Sequence, residues 1–181
     1  MRLAIIVSMK DKKILIHTAL NIEARPFIGS LKLQKIAKNI WANDTILLTI
    51  SGIGVNNVEK SLPQVFQNYT CKKAINIGIA GCVDPTIPIG SLFCTNQHLE
   101  DIPYASLTSV TKPAICTLGI TTTLVDMEAQ TFEHIVQRYL EKDAIFIFKV
   151  VSDNLSNTIP SRQFVAELIQ KNLTKVSKYV L

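Results

Sequence analysis

The chain is expected to fold as an α/β protein, a three-layer sandwich around a central, largely parallel mixed sheet, and three observations predict it. Short apolar runs alternate with stretches of helical periodicity along the 181 residues. One run, "AIFIFKVVSD" (144–153), is almost continuously apolar, as a strand covered on both faces must be. Glycines and acids gather where the runs end, and in open parallel sheets ligands bind at those carboxyl ends.

Each element has its own signal. "RLAIIV" near the start reads as an extra strand, paired to residues 13–20 across a Lys-Asp-Lys turn. "KILIHTAL" (13–20) is a buried strand, followed by a short helical stretch carrying "NIEARPFI". "DTILLTI" (44–50) is the second strand, and "SGIGVNN" then turns into a helix ending near Tyr69. "KAINIGIAG" (73–81) is the third strand and "GSLFCTN" (90–96) the fourth. A loop-rich region containing "AICTLGITT" leads to "VDMEAQTFEHIV" (125–136), read as the start of a helix. Its apolar stripe is Phe132, Ile135, Val136 and Tyr139, and Glu128 falls on that same stripe. After the strand at 144–153, an amphipathic helix closes the chain, with Phe164, Leu168, Ile169 and Val176 in register.

Composition bounds the function. A length of 181 residues fits one domain (1–181) with a core that needs neither metal nor disulfide. The hydrophobic fraction of 48% and charged fraction of 18% belong to a globular chain. Mean hydropathy is positive, +0.26, yet no apolar run approaches the ~20 residues that span a bilayer. "MRLAIIV" is cut off by Lys10, Asp11, Lys12 and Lys13, too short for a signal-peptide core, so a cytoplasmic address is expected. Cys71, Cys82, Cys94 and Cys116 form no C-x-x-C pair, and His17, His98 and His134 show no ligand spacing, so no metal is expected. A net charge of +5 raises the question of nucleic acid. The lysines lie where solvated faces belong, as Lys171, Lys175 and Lys178 do, and no basic cluster is interleaved with aromatics. Neither nucleic acid nor membrane is expected as a partner.

Several residues at strand ends invite a chemical reading. The glycine loops are weak signals: "SGIGVNN" lacks the third glycine of a dinucleotide fingerprint, and no G-K-[ST] follows. Asp153, taken alone, fits a helix N-cap or an Asx-turn. Glu23, taken alone, fits a first-turn acid favoured by the helix dipole. Glu128 is less easily explained, because an unpaired carboxylate on an apolar face is costly. An ion pair with Lys149, set in the middle of a buried strand, would account for it structurally.

Taken together and in order, "TALNIEA", "SGIGVNN", "NIGIAGCVDPTIPIGSL", "VDMEAQTF" and "FKVVSDN" resemble the nucleoside phosphorylase superfamily. The resemblance is closest to its hydrolase branch, the methylthioadenosine/S-adenosylhomocysteine nucleosidases and futalosine hydrolases, and runs from about residue 13 to the end. It implies a nucleosidase that cleaves the N-glycosidic bond of a purine-type nucleoside without a cofactor. It further implies that Glu128 receives the ribose hydroxyls with Met127 under the sugar, and that Ile79, Ala80 and Gly81 line the substrate site. Asp153 would assist departure of the base, and Glu23 would orient and deprotonate the attacking water. Three carboxylates suit an oxocarbenium-like transition state. Holding Asp153 half-protonated at pH 7 would require raising its pKa by ~3 units, a differential cost of about 4 kcal/mol, which calls for burial.

The resemblance also frames the alternatives. A phosphorylase needs cationic or hydroxyl partners for phosphate. Where such enzymes carry an arginine and a hydroxyl around the third-strand glycine, this chain has Asn76 and Ile79, and Arg25 is the one substitute. Water is therefore the expected nucleophile, with a phosphate-dependent phosphorylase or a non-catalytic nucleoside-binding member as alternatives. The stretch from Gly90 to Met127 is shorter than in the family, and "CTLGITTTLV" offers no aromatic for the base; Tyr104 or a second subunit would have to supply one. His98 and Asp101 fall in the region that implies a homodimer.

Overall fold

A computed structural model describes residues 12–155 and 159–180, so the expected strand "RLAIIV" lies outside the described residues. The elements run β1 (Lys13–Thr18), α1 (Asn21–Ser30), β2 (Gln34–Ala37), β3 (Ile40–Ala42), β4 (Ile46–Ile50), α2 (Val55–Asn68) and β5 (Cys71–Cys82). They continue with β6 (Leu92–Cys94), β7 (Leu107–Ser109), β8 (Leu124–Asp126), α3 (Ala129–Val136), β9 (Ile145–Asp153) and α4 (Arg162–Val180). The four long strands β4, β1, β5 and β9 are mutually parallel, while the short β3, β6 and β8 join them antiparallel. The sheet is mixed and mostly parallel, flanked by helices.

The helices divide between the two faces. Ala24 and Phe27 of α1 and Val165, Leu168, Ile169, Leu173 and Val176 of α4 bury against Ile14, Ile16, Ile75, Ile77 and Phe148. Val58, Leu62 and Val65 of α2 and Phe132, Ile135 and Val136 of α3 bury against Leu15, Leu47, Ala74 and Ile147. Alternate strand residues therefore feed opposite cores, which is why β1 and β9 are apolar on both faces. Each fully buried Leu, Ile or Phe contributes about 1.5–3 kcal/mol.

Several expectations are corrected in detail. Residues 34–42 form a hairpin with a two-residue Lys38–Asn39 turn, in which Asn39 takes φ 60°. All four β2 residues are exposed, so no apolar alternation announces the strand. "VDMEAQ" does not begin a helix: Leu124–Asp126 is a strand, and α3 starts at Ala129 with Glu128 as its N-cap. Tyr139 lies beyond the helix, exposed, stacked on Phe66 at 4.3 Å. In α4, Val165 takes the buried first-turn position and Phe164 is exposed.

β5 positions everything that follows. It outruns its neighbour β1, whose last partner in register is Asn76. Beyond that point β9 continues along one edge as far as Gly81, so β8 must take the other edge, pairing Gly81 with Val125. Between the end of β1 and the arrival of β8, the edge of β5 is open.

Candidate active site

Glu23 fills that opening. It is the third residue of α1, and it reaches back so that Oε2 accepts the backbone N–H groups of Ala19 (3.1 Å) and Leu20 (2.9 Å). Its Oε1 accepts the N–H of Ile79 at 3.1 Å, a strand donor left over where β1 stops. Three backbone donors fix one carboxylate, and the residue is 2% exposed. Burial pushes its pKa up from 4.5 to about 7, against the lowering effect of those hydrogen bonds and of Lys149.

Lys149 stands next to it. The Lys149 side chain is fully buried, in register with Gly78, and a Cβ on Gly78 would lie 3.0 Å from Glu23 Oε1 and 3.5 Å from Lys149 Nζ. Its partner is not Glu128, as the sequence allowed, but Asp126, at 2.7 Å. Asp126 also accepts the Ala129 N–H at 2.9 Å and the Ser109 hydroxyl. Glu128 is buried and bonds elsewhere: its Oε1 accepts the N–H of Gly54 at 2.6 Å. Gly54, at φ 91°, caps α2 in a conformation that a side chain would resist. Burial raises the Glu128 pKa, partly offset by Lys149. Burial works against the Lys149 charge, but Asp126 and Glu128 outweigh it and hold the ammonium above its usual range.

Asp153 ends β9 opposite Gly81, half-buried. Its Oδ2 accepts from the Ser152 hydroxyl at 2.7 Å and its Oδ1 from the Leu155 N–H at 2.9 Å, the Asx-turn that the Asp-Asn dipeptide allows. Leu155 sits at φ 57° with its side chain against Gly81, where an added Cβ would lie 2.5 Å from Leu155 Cδ2. The β5 segment Gly78–Gly81 is thus a spine with Glu23 and Lys149 at one end and Asp153 at the other, Ile79 and Ala80 lying between. Met127, half-buried, adjoins Glu128.

Other candidates lie apart. Arg25 is exposed and lines a groove of about 470 Å³ between α1 and α4, with Pro26, Glu167 and Lys171. Tyr104 packs its ring at a tilt against His98, centroids 4.5 Å apart, beside Cys94, which pairs with Phe148, well below Asp153 along β9. Asp101 pairs instead with Lys178 and Tyr179 of α4. Among the described residues no group of three His, Cys, Asp or Glu side chains is placed to hold a metal ion, and no helix is long and apolar enough to cross a membrane. Sequence reasoning passed over Asp126, and it named His17 and Asn76 only to set aside a metal site and a phosphate site. The signal for Asp126 was present, an acid two residues ahead of Glu128, but its meaning required knowing that β8 lies beside β5.

Known proteins share this architecture. The futalosine hydrolase of Helicobacter pylori superposes with a TM-score of 0.77 over 93% of this chain and 97% of its own, at 13% identity. The 5′-methylthioadenosine/S-adenosylhomocysteine nucleosidase of the same organism gives 0.78 over 93% and 97%, at 12% identity. That of Campylobacter jejuni gives 0.76 over 93% and 98%, at 16%. At such identities the likeness establishes the fold. No curated protein matches the chain by sequence. The sequence model described as phosphorylase superfamily matches residues 2–116, well over half of the 181. The chain belongs to the phosphorylase superfamily.

Proposed function

We propose that the protein is a nucleosidase, hydrolysing the N-glycosidic bond of a purine-type nucleoside with water as the nucleophile. The observation that carries this reading is the Glu23 carboxylate, fixed by three backbone N–H groups at the open edge of β5 with a pKa near 7. A base with that pKa takes a proton from water at neutral pH. The water oxygen attacks the anomeric carbon, and the glycosidic electron pair leaves with the base. Asp153 hydrogen-bonds or protonates the ring nitrogen of the departing purine, which requires Oδ1 to exchange the Leu155 N–H for the base. Glu128, with Oε1 held by Gly54, receives the ribose hydroxyls at its other oxygen. Met127 lies under the sugar, and Ile79, Ala80 and Gly81 line the floor.

Phosphorolysis is disfavoured by the same cluster. Phosphate needs an available cation, and the Lys149 ammonium is already paired with Asp126, while Arg25 lies outside the site. A mutant of the similar Helicobacter pylori nucleosidase holds 5′-methylthioadenosine in its active site, so methylthioadenosine, adenosylhomocysteine and futalosine are the substrates to try, with adenosine and inosine. The purified protein is expected to release free base from at least one of them without phosphate. Release only with phosphate would make it a phosphorylase, and binding without release would make it a non-catalytic nucleoside-binding member. Asp153→Asn is expected to lower kcat by ~10²-fold or more, the scale of a lost general acid; unchanged turnover would remove Asp153 from the mechanism.

A further inference from the structure

The sheet face that meets α2 and α3 changes character in three rungs toward the strands' carboxyl ends. The first is aliphatic, Leu47, Leu15, Ala74 and Ile145. The second holds Thr49, His17, Asn76 and Ile147. The third brings Gly78 beside Lys149, with the Glu23 carboxylate against both. Nothing in the reaction proposed above uses the second rung.

His17 and Asn76 are 0% and 1% exposed, and they meet at 2.8 Å between His17 Nδ1 and Asn76 Nδ2. The imidazole stacks on Phe132 with ring centroids 5.1 Å apart. Among the described residues, His17 Nε2 and Asn76 Oδ1 have no protein partner. Burial, reinforced by Lys149, holds the His17 pKa down at about 3, so the ring is neutral and carries one N–H. With the amide nitrogen donating to Nδ1, that hydrogen sits on Nε2. Turning the amide over exchanges the roles but still leaves one donor and one acceptor unpaired. Both are costly if dry, and an aliphatic pair would fill the rung without that cost.

A third unmet need lies close by. The Lys149 backbone is one rung, about 7 Å, along the strands, but its long side chain leaves the ammonium near enough for its charge to act on His17. The buried Lys149 ammonium has three donors, and Asp126 occupies one. Water is the ligand whose chemistry fits all three, since it accepts from both donors and donates to the amide oxygen.

We propose that His17 and Asn76 bind a buried water between themselves and Lys149, and through it hold the ammonium at its station beside Glu23. His17 is then a positioning residue for the base. The catalytic consequence rests on the nucleosidase reading; the water does not. The ionisable groups around Lys149 are Glu23 from α1, Asp126 from β8, Glu128 at the start of α3 and the neutral His17 from β1. Because the Lys149 charge lowers the Glu23 pKa, an ammonium that drifts away moves the acid limb of the pH profile upward.

Two measurements on the full chain test this. In 15N-histidine-labelled protein, the His17 ring N–H is expected to show a cross-relaxation contact with long-lived water; a protected N–H without one overturns the site. His17→Phe keeps the stack on Phe132 and removes both nitrogens. It is expected to lower kcat about tenfold with KM within twofold and to raise the acid limb, while His17→Gln restores most of the rate. Unchanged kcat and an unmoved limb would overturn the positioning role and leave a structural water only. If His17→Phe does not fold, Asn76→Leu serves in its place under the same criteria. Should the native protein cleave no nucleoside, the functional reading fails by itself, and the water contact alone decides the binding site.

Discussion

At the scale of single residues, Gly78 shows how tightly the cluster is drawn. An alanine there would set its Cβ 3.0 Å from Glu23 Oε1, and three backbone donors leave that carboxylate no room to give. Gly78→Ala is expected to cost about 1–3 kcal/mol of stability, as overpacking does, and to lower kcat at least tenfold; denaturant unfolding and steady-state assay read both. Glu23 also makes stability depend on pH. Its folded pKa, about 7, lies above the ordinary 4.5, so between these values the folded chain keeps a proton that the unfolded chain releases. The stabilisation from that proton is complete below pH 4.5 and is lost as pH rises through about 7, by on the order of 3 kcal/mol. Glu23→Gln is expected to flatten this slope when urea unfolding is compared at pH 5 and pH 8. An equal slope in both proteins would place the titration elsewhere.

Among the elements, α4 and the β2–β3 hairpin illustrate opposite strategies. α4 is tied into the molecule by a polar side chain: Asn172, buried, donates to Gly90 O at 3.1 Å and to Leu168 O at 3.0 Å. Gly90 in turn donates to Val151 O at 2.8 Å, so the helix is linked through the turn before β6 to β9. Asn172→Ala leaves the Gly90 carbonyl unpaired and is expected to lose about 1–3 kcal/mol in denaturant unfolding, with KM unchanged. The hairpin, by contrast, is an exposed sheet edge. Lys35 lies 5.6 Å from the centre of the Trp41 ring, and Lys32 and Lys38 flank β2, charges that discourage edge-to-edge pairing. The helix–strand–helix order was apparent from the apolar runs because each is long enough to show its period. Three-residue strands such as β7 and β8 are too short to show one, and the mistaken helix start at residue 125 followed from that.

For the molecule as a whole, large apolar side chains are left to solvent on one stretch of loops. Tyr104, Ile115 and Leu118 expose 46%, 60% and 90% of their surface in the loops between β6 and β8. We propose that a second copy of the chain packs there. Sedimentation equilibrium is expected to give about twice the 20.1 kDa chain mass, and Leu118→Asp to shift the protein toward monomer. A native monomer would overturn the dimer.

The amino-acid order alone specified the layers, the parallel core and the acids at the strand ends, because each is written in contiguous residues whose period or position is visible locally. It could not say that Lys149 pairs with Asp126 rather than Glu128, that Glu128 bonds Gly54, or that Glu23 stoppers the edge of β5. Those contacts join residues 23 to 74 positions apart, and the choice between partners turns on where β1 stops and β8 arrives. Hydrogen-bond and charge energies depend on ångström distances in a buried, low-dielectric space, and only the assembled sheet sets those distances.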